Sequence, residues 1–301
     1  MTEPLHSDHE SGRALNFGEA FERVLALTGQ GGKALAGALL LGCAPFTILL
    51  FLFQRSFQPT MLAWQQQMTQ GQPSFPPAVF MFLLLILLVA LVQMGLVSAI
   101  SLGVLRFHQD GEAIRTSSLL HWGFAQLRRM VPALFGLYLL WMMVFMVLLM
   151  SAILIGMAGV LGTIVGGILF VAGFCVAFLG LSLAPACMLL WDMPFGEAVG
   201  SSLRWIRRAF FQTLFLLLSF VFMFAVLSIA VNLPVYLSLF SKTLAGIGQT
   251  GLAPDPLELS AGLALWQQLW QLLAGLLVVL LQAPIWIATG VQAMNLRARG
   301  N

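Results

Sequence analysis

The stretch Val131–Trp191 reads VPALFGLYLLWMMVFMVLLMSAILIGMAGVLGTIVGGILFVAGFCVAFLGLSLAPACMLLW. Across these 61 residues there is no Asp, Glu, Lys, Arg or His. One helix needs about 20 consecutive apolar residues to cross a bilayer, so this stretch is read as two spans. Their turn is placed near Gly156–Gly162, in IGMAGVLG. Working outward, four more charge-free runs appear: Ala34–Gln54, Ser74–Leu105, Ala209–Ser241 and Leu259–Leu296. Each holds one span, which makes six. The whole chain agrees, being 60% hydrophobic and 8% charged, against roughly 25% charged in soluble domains. The expected fold is therefore an all-α membrane protein of six transmembrane helices, a single integral membrane domain over residues 1–301.

The basic residues are distributed unevenly about these spans. Arg13, Arg23 and Lys33 precede the first; Arg106, Arg115, Arg128 and Arg129 lie between the second and third. Arg204, Arg207 and Arg208 lie between the fourth and fifth, and Arg297 and Arg299 follow the sixth. Only Arg55 and Lys242 fall on the other side, so twelve of fourteen share one face. Cytoplasmic segments carry the excess of Lys and Arg. Both termini are therefore expected in the cytoplasm, with the chain in the bacterial inner membrane. Met1–Glu10 is polar and acidic, unlike the basic start of a cleaved signal. Residues 1–15 are read as a flexible cytoplasmic tail. The basic residues are spread over short segments beside spans, so nucleic acid is not an expected partner.

A tetrapeptide recurs. FGEA stands at Phe17–Ala20 and again at Phe195–Ala198, and DGEA stands at Asp110–Ala113. Aligning them pairs NFGEAFERVLALTGQGGKALAGALLLG with QDGEAIRTSSLLHWGFAQLRRMVPALFG and PFGEAVGSSLRWIRRAFFQTLFLLLSF. Each reads as an amphipathic surface helix, then basic residues, then a span. The return spans also align, through SAISLGVL, LAPACMLL and QAPIWIAT at Ser98, Leu183 and Gln282. The chain is read as three pseudo-repeats of an amphipathic cytoplasmic helix plus a transmembrane hairpin, over about 16–108, 109–191 and 192–297. Glu19, Glu112 and Glu197 are expected in the first turns of their helices, where the helix dipole favours a carboxylate. Asn16 has the spacing of a capping box with Glu19; Asp110 and Asp192 are candidate caps for the other two. The segments after Gln54 and from Pro234 to Ser260 are rich in Gln, Pro and Gly. They are read as surface loops with short helices.

Chemistry is harder to find. No charged residue lies inside a span, and intramembrane ionisable residues are what mark proton relays. No catalytic residue, cofactor site or metal site is assigned. His6 and His9 belong to the tail, and His108 and His121 read as surface residues. Cys43, Cys175 and Cys187 read as small packing residues. Gln93, Asn232 and Gln282 are the candidates for a polar lining or for bonds between helices. Pro185 and Pro284 would break their helices locally. GTIVG at Gly162–Gly166 has the spacing of a close helix contact. Trp122, Trp191 and Trp205, with Trp64, Trp266 and Trp270 on the other side, read as interfacial anchors. Arg128, Arg129, Arg204, Arg207 and Arg208 are candidate contacts for anionic lipid headgroups.

The unit PFGEAVGSSLRWIRRAFFQTLFLLLSF resembles a segment of YciC-like bacterial inner-membrane proteins. It is also similar to the membrane domain attached to some glycerophosphodiester phosphodiesterases. The resemblance implies a multi-pass inner-membrane protein and carries no catalytic residue with it. The function expected is non-enzymatic, scaffolding or modulating a membrane partner or supporting membrane integrity. The alternative is a passive or lipid-handling transporter with a site between the repeats.

Overall fold

The computed structural model describes residues 15–69, 77–157, 159–250 and 265–299. Among them every regular element is a helix: α1 Phe17–Gln30, α2 Gly32–Thr69, α3 Pro77–Gln109, α4 Thr116–Gly156, α5 Val160–Ser182, α6 Ala184–Leu190, α7 Phe195–Arg208, α8 Phe210–Thr250 and α9 Leu265–Ala298. In hydrocarbon no water is present to satisfy a backbone N–H or C=O, so a spanning chain bonds within itself as a helix. Six helices are long and apolar enough to cross a membrane: α2, α3, α4, the α5–α6 pair, α8 and α9. The first fifteen residues, expected as a tail, lie outside the described part except Leu15, which is held firmly.

Leu15 is where the fold is tied. Its N–H donates to Asn295 Oδ1 at 2.8 Å, and its carbonyl accepts from Asn295 Nδ2 at 3.1 Å. The same carbonyl accepts from Arg299 at 2.9 Å and from Gln212 Nε2 at 3.0 Å. One peptide position thus joins the start of α1 to α8 and α9. The next residue caps α1: Glu19 N–H donates to Asn16 Oδ1 at 2.9 Å and Asn16 N–H to Glu19 Oε2 at 2.8 Å. This is the expected capping box. Ala20, Val24 and Leu27 then form the buried face of α1, and Phe21 stacks on Phe220 of α8 with ring centres 4.9 Å apart.

The second GEA does something else. Gly111 has φ +69, its N–H donates to His108 O, and Glu112 N–H donates to Phe107 O at 2.9 Å. That pattern of bonds is a Schellman stop, and it ends α3. Asp110 turns back to pair with Arg106 at 2.9 Å instead of capping α4. The following helix begins at Thr116 after Arg115, without a side-chain cap, so Glu112 lies outside its first turn. There is also no separate surface helix here: α4 runs unbroken from Thr116 through the span to Gly156. The first copy breaks at Gly31, in a run of glycines (Gly29, Gly31, Gly32) that α4 lacks. In the third, Ala209 breaks α7 from α8 at φ −145, ψ 46. Asp192 does not cap α7 either; it pairs with Arg129 of α4, and Pro194 occupies the cap position.

The described parts of the segments read as loops are helical. Helix α2 continues through Arg55 to Thr69, and α8 continues through Pro234 to Thr250. With 38 residues α2 reaches about 57 Å at 1.5 Å per residue, well beyond a hydrocarbon core of about 30 Å. The sequence MLAWQQQM that fills this extension consists mostly of good helix formers. The short turn between α4 and α5 falls where expected, with Gly159 at φ +98. In GTIVG, Gly166 packs inside the molecule: a Cβ there would stand 2.7 Å from the Ala152 carbonyl oxygen of α4.

The core gathers at the end that carries Leu15, α1, α7 and the arginines. Residues 95–105 of α3, 184–190 of α6 and 287–293 of α9 are buried without interruption. Gly290 shows how close the approach is, since an added Cβ would meet Leu105 Cδ1 at 2.2 Å and Leu102 Cδ2 at 2.7 Å. At the same end Trp191 stands edge-on to Trp205, ring centres 5.5 Å apart, and Arg297 lies 4.7 Å over the Trp191 ring. Away from it, burial thins. The α4–α5 hairpin is held there by its own aromatic cluster of Trp141, Phe145, Phe170 and Phe174.

Two outcomes follow from these ties. Asn295→Ala removes two bonds to the half-buried Leu15 peptide and costs about 1–3 kcal/mol, read as a lowered midpoint of thermal unfolding in mild detergent. Gly111→Ala places a Cβ in the left-handed region and costs about 1–2 kcal/mol, whereas Glu112→Gln changes stability by less than about 0.5 kcal/mol. Equal losses for Gly111→Ala and Glu112→Gln would contradict the Schellman assignment.

Candidate functional site

Where burial thins, the spans part around a cavity of about 1030 Å³. Ligand sites commonly occupy about 300–1,000 Å³, so this one is large. All six spans contribute to its wall: Thr47 and Gln54 from α2, Gln93 from α3, Tyr138 and Trp141 from α4, Phe178 and Ser182 from α5, Leu217 and Val221 from α8, and Gln271, Gln282 and Thr289 from α9. The wall is mainly apolar, and the polar groups it contains are amides, hydroxyls and indoles. Among the described residues no Asp, Glu, Lys, Arg or His belongs to it.

The polar groups are arranged rather than scattered. On α9, Gln282 lies eleven residues after Gln271, and Thr289 seven after Gln282. At 3.6 residues per turn these intervals are close to three and two whole turns, so the three share one face. At 1.5 Å per residue they extend over about 27 Å, close to the thickness of the hydrocarbon core. On α2 Thr47 and Gln54 are seven apart and form a shorter row of the same kind. Gln93 Nε2 crosses from α3 to Thr47 Oγ1 at 2.9 Å, while Thr47 Oγ1 donates to the Cys43 carbonyl at 3.1 Å. Thr289 donates back to the Trp286 carbonyl at 2.7 Å.

Of the three polar candidates in the spans, Gln93 and Gln282 border the cavity. Asn232 does not belong to its wall; its amide donates to the Ser228 carbonyl of its own helix at 2.8 Å. The two prolines differ. Leu183 interrupts the helix between α5 and α6, and Pro185, in the first turn of α6, borders the cavity. Pro284 sits inside an unbroken α9, with Ile285 and Gln282 at the wall beside it. The arginine candidates lie at the basic end. Arg204, Arg207 and Arg208 occupy the exposed side of α7, opposite buried Ala198, Ser202 and Ile206. Arg204 also donates to the Gly200 carbonyl at 3.3 Å and to Ser201 Oγ at 3.2 Å. Arg128 is exposed on α4, next in sequence to Arg129 with its Asp192 partner.

Several features of this arrangement escape sequence reasoning. Gln271 and Tyr138 carry no motif, although the whole-turn spacing of Gln271, Gln282 and Thr289 was there to be counted. Gln292 and Thr213, both fully buried, join α9 to α8 by a 2.9 Å bond, and nothing in either span announces the pairing. Cys43 and Cys187 are buried and Cys175 is half-buried. Among the described residues no three His, Cys, Asp or Glu side chains gather as metal ligands would.

No protein family, curated protein or solved structure matches this chain.

Proposed function

We propose that this chain is a non-enzymatic, multi-pass protein of the bacterial inner membrane that holds a lipid in the cavity between its spans and passes it on without energy input. The cavity carries this reading. Its wall joins a broad apolar surface to a few uncharged hydrogen-bonding groups, the pattern expected for an amphipathic guest. Acyl chains would lie against Phe178, Leu217 and Val221, with polar atoms meeting the amides of Gln93, Gln271 and Gln282. Energy coupling by protons needs a group that titrates inside the membrane, and the described residues of the wall include no carboxylate, amine or imidazole.

The placement in the inner membrane with both ends cytoplasmic is supported by the twelve basic residues on one face of the sequence. The resemblance of PFGEAVGSSLRWIRRAFFQTLFLLLSF to YciC-like proteins is kept as part of the proposal. The three-unit organisation is kept as part of the proposal. It draws support from α1 and α7, two 14-residue helices that both open on FGEA and both lead into a span. The cavity favours lipid handling over a purely scaffolding role, because it offers a concave, mainly apolar surface of ligand-site size.

The test is lipid retention by the full chain in nanodiscs, read by native mass spectrometry. Wild type is expected to keep one or two lipids through mild activation. Gln282→Leu combined with Leu217→Trp narrows the cavity and removes an amide, and is expected to lower retention about fivefold, as a loss of about 1 kcal/mol would. Retention should not change between mildly acidic and mildly basic pH. A wild-type protein that emerges lipid-free under conditions that preserve its fold would end this reading.

A further inference from the structure

Taken in the order α5, α4, α3, α2, α9, α8, each span packs extensively on the next, and α3 also meets α9 across the bundle; α5 and α8, the two ends of that order, touch sparsely. Along that seam the cavity wall is made of Phe178 and Leu181 on one side and Leu217, Val221 and Phe224 on the other. The seam is closed at the basic end by α7, which follows α6 and leads into α8. Helix α7 packs on α5 tightly enough that a Cβ on Gly180 would lie 2.6 Å from Leu203 Cδ2. It therefore sits across the top of the seam as a lintel.

That lintel is charged on its outer side. Arg204, Arg207 and Arg208 are exposed along it, and exposed Arg128 lies at the same end on α4. The acids within reach do little to offset them: Asp192 is engaged with Arg129, and Asp110 with Arg106. Glu197, in the first turn of α7, is the remaining carboxylate of that helix. A basic residue near an anionic surface is worth about 1 kcal/mol, so several together distinguish an anionic headgroup from a zwitterionic one. The apolar seam directly below continues into the cavity.

We propose that the α5–α8 seam is a lateral portal for an anionic phospholipid from the leaflet at the basic end. Its phosphate rests on the α7 arginines while its acyl chains pass between Phe178 and Val221 into the cavity. This inference rests on the lipid-holding reading and adds the class of lipid and its route. The cavity is long enough for this: it follows α9 for about 27 Å, while the chains of one leaflet need only about half of the 30 Å core.

Photolabelling tests both statements separately. The full chain is placed in liposomes with a phosphatidylglycerol that carries a diazirine in its acyl chain, or with the phosphatidylcholine of the same chains. Adducts are mapped by peptide mass spectrometry. Phosphatidylglycerol is expected to label Phe178, Leu217, Val221 and Phe224 at least fivefold more than phosphatidylcholine at low ionic strength. High salt and the Arg204→Gln/Arg207→Gln/Arg208→Gln variant should bring the two probes level. Because Arg204 bonds within α7, the Arg207→Gln/Arg208→Gln variant serves as the control for folding and should shift the ratio in the same direction. Equal labelling by both probes in wild type, or labelling of the cavity that ignores the arginines, overturns the portal and leaves the lipid-holding reading intact. Cavity adducts that bypass the seam residues overturn it too. Absence of adducts at any wall residue overturns both.

Discussion

Hydrocarbon gives an apolar helix no reason to prefer a protein neighbour to a lipid, so association inside a bilayer depends on fit. In this molecule the fit is concentrated at one end. Gly290 lets α9 lie against Leu102 and Leu105 of α3, and α6 inserts with every residue buried. With the helices fixed there, their other halves diverge without losing one another. The cavity is the geometric result of that divergence. It needs helices joined closely at one end and held only in pairs beyond it, as Phe57 holds α2 to Phe82 of α3 and Trp270 of α9 donates to the Val231 carbonyl of α8.

The repeated FGEA illustrates how one short sequence takes its meaning from its neighbours. At Asn16 the box closes because an amide side chain stands three residues before Glu19. At Asp110 the preceding residues already belong to a helix, and Gly111 offers the left-handed turn that ends it. A carboxylate in the same alphabetical position thus caps one helix and trails another. The third copy has Pro194 at the cap position and keeps Glu197 in the first turn.

The parts of the fold legible in the sequence are those enforced by the membrane. Charge-free runs long enough to span had to be helices, and the glycines around Gly159 had to hold a short turn between two of them. The extents of α2 and α8 were not legible, because Gln and Pro suggest loops, whereas an established helix only needs local bonds to continue. The site was legible in part. Gln93 and Gln282 are conspicuous as amides in apolar runs, but Asn232 is equally conspicuous and spends its amide on its own helix. Which face an isolated polar residue occupies depends on partners far along the chain. The Leu15 tie was invisible for a different reason: its acceptor is a backbone carbonyl, and no side-chain letter marks it.

That tie has a consequence for how the protein is made. The groups that hold Leu15 lie 197, 280 and 284 residues further along the chain. A ribosome delivers the first helix long before it delivers Gln212, Asn295 and Arg299. Leu15 therefore lacks these partners while the spans insert one after another. Its attachment is the closing event of assembly, and it registers that the final span has reached its place.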